Sequence, residues 1–145
     1  MTSSVVTISS LQVGATATRR FVVAADAVDS YANLSDDHNP IHVDAAYAAS
    51  TPFARRIAHG MLVAGYVQSP LTSLVAPGGV SKSYTFELHA PTFVDAVVDA
   101  TVTCTQVDPP TGRASFDLEI TDIDAGTVVI TGHAVVAFKR TAHTG

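Results

Sequence analysis

Apolar and polar residues recur along this chain with two periods, one in each half. In the second half the period is two: Val98, Ala100, Val102 and Cys104 interleave with Asp99, Thr101, Thr103 and Thr105. That is the signature of a strand with one face in a core and the other in water. Similar runs predict strands over residues 80–90, 96–107, 114–122 and 127–139. The connectors Asp108-Pro109-Pro110-Thr111-Gly112 and Asp124-Ala125-Gly126 carry turn-forming residues. Long strands joined by short turns predict antiparallel pairing in sequence order. The first half reads as helical after a short strand at 20–23. Val28, Tyr31 and Ala32 recur at helical spacing over 26–34, with Asp26 as N-cap or first-turn acid. Residues 35–40 form a turn around Asn39-Pro40, and Asp44 caps a short helix over 45–50. In Met61-Leu62-Val63-Ala64-Gly65-Tyr66-Val67 nearly every side of the helix is apolar, which predicts a buried helix. Pro70 is expected to kink or end it, and Pro77-Gly78-Gly79 closes the region.

One apolar helix wrapped by a curved antiparallel sheet satisfies these signals, so the fold class is α+β with a single domain spanning residues 1–145. A lone sheet leaves its edges unpaired. Edge-to-edge pairing of two copies would cover them, so a homodimer is expected. The chain of 145 residues is 47% apolar and 14% charged, which excludes a disordered chain. A net charge of −5, with only the isolated basic pairs Arg19-Arg20, Arg55-Arg56 and Lys139-Arg140, argues against nucleic acid. Cys104 is the single cysteine, so no internal disulfide can form. Residues 1–14 lack the pattern of a signal peptide. The apolar stretch 61–77 is broken by Gln68, Ser69, Pro70, Thr72 and Ser73, too often for a membrane span. A cytoplasmic protein is expected, with frayed ends at 1–7 and 141–145.

The reactive groups concentrate in Ser35-Asp36-Asp37-His38-Asn39-Pro40-Ile41-His42-Val43-Asp44, followed by Phe53-Ala54-Arg55-Arg56-Ile57-Ala58-His59-Gly60-Met61-Leu62. Read by themselves, Asp37 suits an Asx-turn and His42 a hydrogen-bonded core histidine. Together the two stretches resemble the hydratase motif of the MaoC-like family, which includes the (R)-specific enoyl-CoA hydratases. The shared features are Asp37, Asn39-Pro40, His42 five residues after Asp37, and the helix start His59 to Leu62. Pro91-Thr92-Phe93-Val94 and Gly132-His133-Ala134-Val135-Val136 also look like the family. The resemblance implies the hot-dog fold, usually dimeric, and reversible hydration of an α,β-unsaturated acyl thioester to the (R)-3-hydroxyacyl form.

That chemistry suits the residues. A carboxylate and an imidazole sharing one water can deprotonate it and return a proton to the α-carbon. The Asn39-Pro40 bend lets positions 37 and 42 converge. By resemblance, the Gly60 N–H at the helix start serves the thioester oxygen. Asn39 supports the loop, and His59 reads as structural, bonding backbone near the helix start. Met61 and Gln68 are placed along the acyl pocket. Asp36 and Asp44 read as a solvated charge and a helix cap, His38 as exposed beside the site, and His89 and His133 as surface or packing residues. His38 and His42, with Asp37 between them, have no third partner at a recognised ligand spacing, so no metal is expected. No cofactor is expected either, because coenzyme A or phosphopantetheine enters only as part of the substrate, with an acyl carrier protein as a further candidate partner. Arg55 and Arg56 are assigned to exposed, solvated charge, with contact to the phosphates of coenzyme A or phosphopantetheine as the alternative. Departures from the family are Arg56 in place of Pro, Asp95-Ala96 in place of Gly-Asp, and Gln68 in place of a small hydroxyl residue. They bear on substrate specificity more than on reaction class and leave open the addition of another nucleophile such as an amine. A non-catalytic hot-dog partner subunit and a thioesterase are the rival readings, the first opposed by the intact Asp37, Asn39 and His42 and the second by a motif that is not the thioesterase pattern.

Overall fold

The computed structural model of the chain describes residues 6–139. Arg140 and the ends 1–5 and 141–145, where fraying was expected, lie outside the described residues. The element order is β1 (Thr16–Val22), α1 (Ala25–Ser35), α2 (Pro40–Val43), α3 (Ala45–Ala49), α4 (Gly60–Gly65), α5 (Gln68–Val75), β2 (Gly79–Leu88), β3 (Val97–Asp108), β4 (Arg113–Asp122) and β5 (Thr127–Phe138). The strands form one five-stranded antiparallel sheet in the order β1-β3-β4-β5-β2.

Pairing in sequence order holds for β3, β4 and β5, where Gly112 (φ 72°) and Gly126 (φ 65°) serve the two turns. It fails for β2, which pairs with β5 and not with β3. The segment between β2 and β3 does not turn back as a hairpin, because its backbone is bonded elsewhere. Ala58 N–H donates to Thr92 O (2.7 Å), Val94 N–H to Arg56 O (3.2 Å) and Asp95 N–H to Val23 O (2.7 Å).

Alternation delivers the expected core. Val98, Ala100, Val102 and Cys104 of β3 are buried together with Ala114, Phe116, Leu118 and Ile120 of β4 and Ala134 and Val136 of β5. Across from them lie Val63 and Ala64 of α4, Val67 at the junction, and Leu71 and Val75 of α5. Register shifts at Ser81/Ser83, Cys104/Gln106 and Ile120/Thr121 interrupt the ladders, and such bulges bend and twist a sheet. The opposite face is polar, with Thr18 bonded to Thr101 (2.8 Å) and Arg20 paired with Asp99 (3.0 Å).

The central helix shows the kink expected of Pro70 and departs from the expectation in its burial. It is kinked at Tyr66-Val67, four residues before Pro70, so Pro70 falls in the first turn of α5 and the helix runs on to Val75. Proline has no N–H to return to the Tyr66 carbonyl, which places the break there. The Tyr66 ring stacks on Phe21 of β1 with centroids 4.4 Å apart. The helix is not buried on all sides: Met61 is 60% exposed, and with Gly65 and Gln68 it forms an open stripe. Among the described residues no helix is long and apolar enough to cross a membrane.

Candidate active site

The loop that carries Asp37 is built from short-range bonds. Asp36 ends α1 in the left-handed region at φ 59°. Ser35 Oγ then accepts from Asp37 N–H (3.2 Å), Asp37 Oδ1 from Asn39 N–H (3.1 Å), and Asn39 Oδ1 from Ile41 N–H (3.2 Å). Asp37 thus makes the Asx-turn considered from sequence, using one carboxylate oxygen and leaving the other unengaged by that bond. Asn39 caps α2, with Pro40 as its first residue. This single turn presents His42.

His42 Nδ1 lies 2.8 Å from the Ile57 carbonyl. A carbonyl only accepts, so this nitrogen carries a proton, and the tautomer so fixed is the one that offers its lone pair at Nε2. His59 N-caps α4 and is 2% exposed. Its Nε2 donates to the Asp37 carbonyl (3.0 Å), so the backbone it bonds is that of the Asp37 loop and not the nearby helix start. Its ring packs on the His42 ring with centroids 4.0 Å apart, and Tyr31 lies on it at 4.9 Å. One carboxylate oxygen of Asp37 and one ring nitrogen from each of His42 and His59 all lie within 4.8 Å of one another.

His59 is therefore a third candidate ligand beside Asp37 and His42, which the spacing of residues along the chain did not reveal. Two imidazoles and a carboxylate are a donor set that divalent ions accept. The unpartnered His59 Nδ1 is fully enclosed, however.

His42 and Gly60 share the lining of a cavity of about 400 Å³. Its walls are mainly apolar, from Phe53, Ile57, Val63, Leu88 and Ile130, with His89 and Thr92 as the polar additions. Asp37 is exposed and adjoins this space through His42. Gly60 is the first residue of α4, where N–H groups lack partners inside the helix. A Cβ at Gly60 would lie 2.0 Å from Leu88 Cδ2, so only glycine fits that contact as it stands.

Met61 and Gln68, expected along the acyl pocket, do not line the cavity of His42 and Gly60; they line a second cavity of about 390 Å³, with Tyr84 and Phe86, and Leu88 borders both cavities. Tyr84 OH donates to Gln68 Oε1 (3.2 Å). His38 is exposed and 3.3 Å from Asp36, and His133 pairs with Asp117 at 2.8 Å on the outer face. Asp44 caps α3 by accepting from Tyr47 N–H (3.0 Å). Arg55 lies over the Phe93 ring at 3.9 Å. Arg56 corrects the sequence reading. It is not solvated charge: its side chain is 16% exposed, and it bonds Asp29 and the carbonyl of His42. His89 and Thr92 were not singled out as cavity residues. The breaker Pro91 beside two polar residues at a strand end was the available signal.

A helix kinked across the concave face of a five-stranded antiparallel sheet, with Asp and His converging at the helix start, defines a hot-dog protein with a hydratase-type site. Residues 9–122 match the MaoC like domain, and the chain belongs to that family. It is 42% identical over 107 residues to the (R)-specific enoyl-CoA hydratase of Rhodospirillum rubrum, covering 73% of each chain. It is 35% identical over 131 residues to the 3-hydroxybutyryl-CoA dehydratase of Methylorubrum extorquens, covering 90% of this chain and 82% of the other. The solved (R)-hydratase of A. caviae involved in PHA biosynthesis superposes with a TM-score of 0.85 at 34% identity, over 90% of this chain and 98% of that one.

Proposed function

We propose that this protein catalyses the reversible hydration of an α,β-unsaturated acyl thioester to the (R)-3-hydroxyacyl thioester. The observation that carries the reading is the convergence of Asp37 and His42 within 4.8 Å, beside an apolar cavity that also contains Gly60. A water hydrogen-bonded to both groups spans a gap of that size, since each bond is about 2.8 Å long. In hydration, the Asp37 carboxylate and the bare His42 Nε2 hold that water. Removal of its proton lets the oxygen add to the β-carbon. Charge moves through the double bond to the thioester oxygen, where the Gly60 N–H at the start of α4 stabilises it. Reprotonation at the α-carbon by the same pair completes the addition, and dehydration runs these steps in reverse. The acyl chain occupies the apolar walls of the cavity. Asn39 and His59 hold the loop.

These steps use no metal and no redox cofactor; the carrier, coenzyme A or the phosphopantetheine of an acyl carrier protein, arrives with the substrate. A homodimer is part of the proposal. The edge strand β2 exposes Val80 and Leu88, and α4 exposes Met61, apolar surface suited to a second copy.

The test is to incubate the protein with crotonyl-CoA and longer enoyl-CoAs, following enoyl absorbance and free thiol together. Loss of absorbance with constant thiol is expected. Thiol release would identify a thioesterase, and no change at any length, with coenzyme A or carrier protein, would favour a non-catalytic partner subunit. Asp37→Asn and His42→Ala are each expected to lose at least about 10²-fold in rate. Near-normal turnover in either would remove that residue from the mechanism.

A further inference from the structure

Arg56 sits at the junction of three segments. Its Nε donates to the backbone carbonyl of His42 at 2.5 Å, and its Nη2 donates to Asp29 Oδ1 at 2.6 Å. Asp29 belongs to α1, the helix that leads into the Asp37 loop. The arginine side chain is 16% exposed, whereas Asp29 is 54% exposed, so the cation lies in the protein and its partner faces outward.

The bond to His42 answers a local need. α2 is a single turn ending at Val43, so the carbonyl of His42 has no i+4 amide within its own helix. Carbonyls at a helix C-terminus favour a cation, and a guanidinium meets one with a fixed, planar donor set. The neighbouring Ile57 carbonyl accepts from the His42 ring at 2.8 Å. Residues 56 and 57 therefore hold His42 twice, once by its backbone and once by its imidazole. Asp29 fixes the guanidinium so that its Nε points at the carbonyl.

We infer that Arg56, oriented by Asp29, is a positioning residue that sets where His42 presents Nε2 to the reacting water. It touches neither substrate nor water in this scheme and acts only through His42. The inference rests on the hydratase reading for its kinetic consequence, but its structural content can be measured without any substrate.

The test compares Arg56→Ala, Arg56→Lys and Asp29→Asn in the wild-type and His42→Ala backgrounds. In the wild-type background Arg56→Ala is expected to lower kcat about tenfold with KM changed less than about twofold, since small misplacements of a catalytic group act on the chemical step. Arg56→Lys is expected to recover only part of that loss, because an ammonium cannot reproduce the forked contact. Asp29→Asn is expected to lose less than Arg56→Ala. In the His42→Ala background Arg56→Ala is expected to leave the residual rate unchanged. If it lowers that rate by the same factor, Arg56 acts on the fold in general and the proposal is overturned. Proton exchange of the His42 Nδ1–H, followed by NMR, gives the substrate-free readout. It should speed up at least tenfold in Arg56→Ala at a temperature where both proteins are folded, and unchanged exchange would also overturn the proposal. If the wild-type protein shows no hydration, the function proposed above fails while the exchange measurement still decides the positioning role.

Discussion

Replacing Gly60 with alanine adds one methyl group where the central helix, the cavity and strand β2 meet. An ideal Cβ there stands 2.0 Å from Leu88 Cδ2 and 3.3 Å from its Cγ. Carbons in contact prefer about 3.5–4.0 Å, so Leu88 must move by roughly 1.5 Å or more. It can do so, because the clash is with the tip of a flexible side chain that is 58% exposed. The packing lost is worth about 1 kcal/mol, since only part of the side chain is buried. The helix regains less than about 1 kcal/mol, because the preference of alanine over glycine is full only in a helix interior and Gly60 is the first residue of α4. The melting temperature should therefore stay within about 4 °C of wild type. Activity should not be spared. The new methyl and the displaced Leu88 both enter the cavity that His42 shares, next to the proposed donor to the thioester oxygen. A loss of at least about tenfold in kcat/KM on crotonyl-CoA is expected. The double variant Gly60→Ala/Leu88→Ala should recover part of it, because the displaced side chain is then gone. Wild-type kcat/KM in the single variant, or a loss that only tracks the unfolded fraction, would refute the reasoning.

Two further outcomes follow from the core. Cys104 is 1% exposed, and burial pushes its thiol pKa up. The neutral thiol is thus favoured in the fold, so this contribution to stability is complete below the unfolded thiol's value of about 8.5 and declines as the pH rises above it. At pH 8 a disulfide reagent should label the native protein far more slowly than the denatured protein, and comparable rates would contradict the burial. Phe116 is fully buried between sheet and helix, so Phe116→Ala should cost about 3–5 kcal/mol by urea unfolding. A loss below about 1.5 kcal/mol would mean that its neighbours collapse into the space.

The period-two pattern specified β2 to β5 nearly to their ends, because a strand with one wet face reveals its inward residues one by one. The stretch 97–108 shows this, as does the turn at Gly126. By contrast β1, expected over 20–23, begins four residues earlier at Thr16. The Asp37 loop was equally legible, because its bonds join residues only two apart, Ser35 to Asp37, Asp37 to Asn39 and Asn39 to Ile41. Local chemistry of that kind is written in consecutive residues.

Contacts between distant residues were not legible. The pairing of β2 with β5 depended on where the 89–96 connection found bonding partners, at Ala58, Arg56 and Val23. The exposed stripe of Met61, Gly65 and Gln68 could not be read from an all-apolar helix, because hydropathy does not tell which side the sheet covers. His59 joins Asp37 and His42 across a loop, and Arg56 reaches both His42 and Asp29 from a segment that sequence alone reads as solvated charge. A histidine's ring bonds and an arginine's burial belong to the neighbours that folding supplies, and short-range pattern carries no record of them. The chain by itself determined its elements and the composition of its reactive loop; the tertiary structure alone decided which side chains meet that loop and hold it.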